Sequence, residues 1–142
     1  MNVGLRSFVL AAGLVAFVTL PVAAQRRVGG AVEAPYNPRT EVTLRGIVHE
    51  VKQMKDVQTV THLGLRTADH APIEVHLGPS AWVAGQSVTF EVGDELEVIG
   101  SRVKYGGLDV MVARQIRKGN EVLILRDTQG RSRWSQGDGP GR

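Results

Sequence analysis

His62, Glu74 and His76 are the residues whose types and spacing could do chemistry in this chain. His62 and His76 fall on the polar side of two alternating apolar runs, opposite Leu63 and Val75. If the runs pair so that Leu65 faces Ile73, His62 faces His76 with Cβ atoms about 5 Å apart. Two imidazoles at that distance can share a divalent metal, with Glu74 or His49 as a third ligand. A register shifted by two, with Leu65 facing Val75, pairs Arg66 with Glu74 instead and separates the histidines. The sequence fits either register, and two histidines on a polar strand face are otherwise ordinary solvated residues.

Arg102, Lys104, Arg114, Arg117 and Lys118 are a second group. Asp and Glu outnumber Lys and Arg from Gln25 to Ser101, and the balance reverses from Arg102 onward. A basic face there would suit an anionic ligand or an acidic envelope component. Strand alternation can also divide these five residues between two faces, leaving a solvated surface. Asp109 is placed to pair with Arg102 or Lys104.

Other chemistry is excluded or poorly supported. The chain of 142 residues has no cysteine. That removes disulfides, thiolate catalysis, c-type haem attachment and cysteine-ligated zinc or iron–sulfur centres. It also lacks the G-x-S-x-G elbow, H-E-x-x-H and a phosphate-cradling glycine loop, so no enzymatic activity is expected. Single-strand nucleic-acid sites need aromatic platforms and a basic groove. Thr61 to Leu77 contains no Phe, Tyr or Trp, so nucleic acid is not the expected partner.

The elements that must position these residues are short and alternating. In Gly93–Gly119, Leu96 and Val98 alternate with glutamates, and Leu108, Val110 and Val112 alternate with Asp109 and Met111. That period of two predicts half-buried strands joined at Lys104-Tyr105-Gly106-Gly107. Glu41 to Met54 reads as a long strand whose apolar phase slips near Gly46, a sign of a bulge or bend. Thr61–Thr67 and Ile73–Leu77 form a second hairpin around Ala68–Ala71. Pro79 and Gly85 bracket one short helical turn containing Trp82, which would plug one end of the core. Glu121–Arg126 and Arg131–Trp134 flank a turn at Asp127–Gly130, with Trp134 packing that terminal hairpin down. The predicted fold is all-β: a five-stranded OB-fold-like Greek-key barrel, with one short helix between strands 3 and 4 and an extra C-terminal β-hairpin.

At the N-terminus, Arg6 precedes an apolar run from Phe8 to Leu20 and then Val22-Ala23-Ala24. The run is short for a membrane span and suits a signal peptide cleaved after Ala24. The expected organisation is a signal peptide over 1–24, a flexible leader over 25–40, one domain over 41–134 and a disordered tail over 135–142. No transmembrane span is expected once the signal is removed, which implies a periplasmic or secreted protein.

The segments TLRGIVHEV, IEVHLGPSAW, VGDELEVIGSRV, MVARQIRKGNEVLILRD and RSRW resemble the C-terminal domain shared by the magnetosome proteins MamS and MamX. More loosely, the layout is similar to exported bacterial OB-fold proteins. The resemblance covers Glu41 to Trp134, and its most specific pieces are HLGP-x-x-W and the Leu-Arg-Asp turn before Trp134. It implies an exported OB-like domain without established catalysis. The haem-attachment motifs that accompany the domain in MamX have no counterpart here, so electron transfer is not carried over. Residues and resemblance together predict an exported, non-catalytic module that binds an envelope protein, an anionic component or a small ligand. A metal-binding accessory protein and a nucleic-acid binder are the alternatives.

Overall fold

The computed structural model describes residues 34–55 and 59–136. The predicted signal peptide, the start of the leader and residues 137–142 of the tail lie outside the described residues. No helix among the described residues is long and apolar enough to cross a membrane.

The described residues are all-β, with one short α-helix. In order, the elements are β1 (Glu41–Lys55), β2 (Thr59–Thr67), β3 (Pro72–Pro79), α1 (Ser80–Ala84), β4 (Glu95–Tyr105), β5 (Leu108–Lys118) and β6 (Glu121–Ile124). Single 3-10 turns at Pro38–Thr40 and Arg133–Gln136 stand outside them.

β1 organises the sheet because its two halves serve different neighbours. Glu41–Ile47 pairs antiparallel with β4, and Gly46–Lys55 pairs antiparallel with β2. The changeover falls on Gly46, where a Cβ would stand 2.5 Å from the Arg66 carbonyl oxygen. Only glycine allows that approach. The bulge itself lies two residues on, between Val48 and Glu50, and His49 is its extra residue. β2 pairs with β3, β4 with β5, and β5 with β6, all antiparallel. A short parallel pairing of β3 with β5 then closes a ring of hydrogen bonds through β1, β2, β3, β5 and β4.

The inward faces of the ring supply the core. Leu63, Leu65, Val75, Leu77, Leu96, Val98, Met111, Ala113, Ile116 and Leu125 are fully buried. Trp82 and Trp134 pack against this cluster, 5.3 Å apart between ring centroids. The expected phase of β5 is inverted at its centre. Met111 points into the ring, while Val110 and Val112 face outward into a second cluster with Ala34. The reason is that both faces of β5 are covered: β3 pairs along its edge, and residues 34–36 cross its outer side. Leu108, expected to be half-buried, is exposed.

The leader's last residues are fastened to this outer side. Ser101 Oγ accepts from the Asn37 amide at 2.9 Å and lies 2.9 Å from Thr40 Oγ1. Glu41 accepts both from Tyr36 and, bidentately, from Arg114 at 2.7 and 2.9 Å. At the other end, β6 joins the sheet beside β5. The second arm of the expected terminal hairpin makes a single bridge, Arg126 to Ser132, before turning into a 3-10 helix. Trp134 is positioned by that turn and lies over Gly78, where a Cβ would meet its indole at 2.5 Å.

Candidate metal site

The turn between β2 and β3 decides whether the histidines meet. Thr67 Oγ1 donates to Asp69, the Thr67 amide to the Ala71 carbonyl at 3.2 Å, and the His70 amide to the Thr67 carbonyl at 2.9 Å. His70 takes a left-handed backbone at φ 61°. These bonds set Leu65 opposite Ile73 and Leu63 opposite Val75, so His62 stands opposite His76. The alternative register, with Arg66 against Glu74, is not the one adopted.

Both imidazoles leave the outer face of the hairpin beside Glu74. Their rings stack at 3.8 Å with 7° between planes. Each points a nitrogen at the same carboxylate oxygen: His76 Nε2 lies 2.8 Å and His62 Nδ1 3.0 Å from Glu74 Oε1. The His76 contact is a hydrogen bond. His62 Nδ1, though near that oxygen, is buried without a hydrogen-bond partner. The side chains of His62 and His76 are 12% and 9% exposed, against 35% for Glu74. The donors are therefore sheltered, while the carboxylate still reaches solvent. Tyr105 meets His76 edge-on at 5.7 Å and ties the site to the outer cluster of Val110, Val112 and Tyr36.

The electrostatics favour neutral imidazoles beside an ionised carboxylate. Burial pushes His62 down, and the neighbouring His76 adds to it against the pull of Glu74. Burial likewise lowers His76 despite its bond to Glu74. For Glu74, burial acts upward but is outweighed by the hydrogen bond from His76 and by electrostatic attraction to the two imidazoles and Lys52, so the carboxyl sits below its ordinary value. Neutral imidazole and carboxylate are the forms that bind metal. Among the described residues, one donor atom from each of His62, Glu74 and His76 lies within 4.8 Å of the others.

The basic residues are arranged differently. Arg114 is committed to Glu41, Lys118 Nζ lies 2.8 Å from Asp94 and from the Thr89 carbonyl oxygen, and Lys104 is 3.1 Å from Asp109. Arg102 and Arg117 are exposed. Arg117 and Lys118 are consecutive on β5 and so project to opposite sides. Sequence reasoning missed Tyr105, Lys52 and Gly64 as neighbours of the histidines. Tyr105 left no periodic signal, because it meets His76 only through the pairing of β3 with β5, strands far apart in sequence.

No curated protein matches the chain. A family model described as the MamS/MamX magnetosome protein family matches residues 40–123. That range contains every strand of the ring, both histidines and Glu74, and it ends before Arg126 and Trp134. The chain belongs to the MamS/MamX magnetosome protein family.

Proposed function

We propose that this protein is an exported, non-catalytic binding module built on a small OB-like barrel. Its ligand in this reading is a divalent transition-metal ion held by His62, Glu74 and His76. The observation that carries the reading is the convergence of three donors from adjacent strands within 4.8 Å. A tetrahedral ion with bonds of 2.0–2.1 Å sets its ligand atoms roughly 3.3 Å apart. The present separations of 2.8 and 3.0 Å from Glu74 Oε1 need to open by only a few tenths of an ångström. One imidazole must also tilt, because a metal lies in the plane of each ring that binds it and the two planes are now parallel.

Two imidazoles and a carboxylate suit zinc, copper(II) or iron(II). Calcium and magnesium prefer oxygen-rich shells. The sheltered pair and the more exposed Glu74 support a site that an ion can enter from the carboxylate side. Export is supported by the composition of residues 1–24, and a binding role by the absence of a catalytic motif in the sequence. The test is isothermal titration of zinc into the purified protein. One ion per chain is expected, with binding abolished in His76→Ala; no heat above dilution would refute the reading.

A further inference from the structure

We propose that His49 is the fourth ligand of this site, crossing over Gly64 to close a three-histidine, one-carboxylate tetrahedron. The inference rests on the reading of His62, Glu74 and His76 as a metal site. It starts from the extra residue of the β1 bulge. In β1–β2–β3 order, Glu50 pairs with Gly64 and Gly64 pairs with Glu74. A side chain from the bulge that leans across Gly64 is therefore leaning towards Glu74. His49 does this: its Cε1 and Nε2 lie 2.7 and 2.8 Å from the position a Gly64 Cβ would occupy.

The glycine makes that path possible, because any other residue at 64 would fill the space now taken by the imidazole. Cε1 and the ligating atom Nε2 approach that position almost equally closely. His49 Nε2 forms no hydrogen bond or ion pair with another described residue. From a point over Gly64, the Cβ of Glu74 is about 5 Å away across the strands. His62 lies two residues along β2 on the same face, about 7 Å distant. His49 stands outside the group of three donors that lie within 4.8 Å of one another, so its side chain has to rotate towards Glu74 to join them.

Three protein donors leave a tetrahedral ion one open position, and a fourth imidazole fills it. Open and closed sites differ in coordination number, which cobalt(II) reports through the intensity of its visible bands. The experiment titrates cobalt(II) into the wild-type protein and into His49→Ala, His49→Gln and His76→Ala, with far-ultraviolet circular dichroism confirming that each is folded. The expected result is an intense four-coordinate spectrum for wild type. Both His49 variants should bind more weakly, by at least the tenfold or so that outer-sphere partners already supply. They should also give pale spectra of higher coordination number. Wild-type spectrum and affinity in both His49 variants, with binding lost in His76→Ala, would overturn this inference alone. Absence of cobalt binding by the wild type would overturn the three-residue reading and this inference with it.

Discussion

At the scale of single residues, the pairing of two buried imidazoles with one carboxylate has a consequence that needs no metal. Burial holds His62 and His76 below the ordinary histidine value of about 6.5. A base whose folded pKa is depressed binds fewer protons in the native state than when unfolded. Its contribution to stability is therefore complete above about 6.5 and is lost as pH falls through the folded value. Chemical denaturation between pH 7.5 and 5 should show the protein weakening as pH falls, and a His62→Gln/His76→Gln variant should show a flatter profile; identical slopes would contradict the assignment. The pairing itself was only half legible in the sequence. Ile73 and Val75 are both apolar and share a face, so either can oppose Leu65 without disturbing the core. The choice is made by Thr67, Asp69 and the left-handed His70 in the turn, and such local hydrogen bonds have no periodic signature.

At the scale of elements, the junction of β3 with α1 is where the two most distinctive stretches of sequence meet. The Leu77-Gly78-Pro79 run and Trp82 form one side. Arg126 and Trp134 form the other, with the guanidinium 4.8 Å from the indole centroid and Arg126 donating to the Leu77 carbonyl at 3.3 Å. Gly78 combines a φ of 151° with a position against the Trp134 ring. Gly78→Ala should cost about 2–3 kcal/mol of unfolding free energy, from backbone strain and displacement of the indole. Denaturant titration measures it, and a change below about 0.5 kcal/mol would show that the segment around Trp134 yields freely. Strand order, the short helix and the long bent first strand were readable from alternation, Pro79, Gly85 and the slip near Gly46. The phase of β5 was not, because Val110 and Val112 are buried by residues 34–36, a contact between parts of the chain far apart in sequence.

At the scale of the whole molecule, the ring through five strands places the histidine pair beside the parallel pairing that closes it. His76 is itself one of the three β3 residues paired with β5. An ion bound there should stabilise the entire fold by mass action. At a free concentration a hundredfold above its dissociation constant, the gain is about 2.7 kcal/mol. For a domain of this size that raises Tm on the order of 10 °C. The shift should appear with zinc, vanish with chelator and be absent in His76→Ala; a Tm indifferent to zinc would count against a site coupled to the closed ring.

Ligation of a metal by His62 and His76 is read most immediately from the nitrogen resonances of their imidazole rings as zinc is added. Both rings should change with the first equivalent of zinc, while His70 in the exposed β2–β3 turn stays where it is. Rings of His62 and His76 that keep their positions through excess zinc would contradict that ligation.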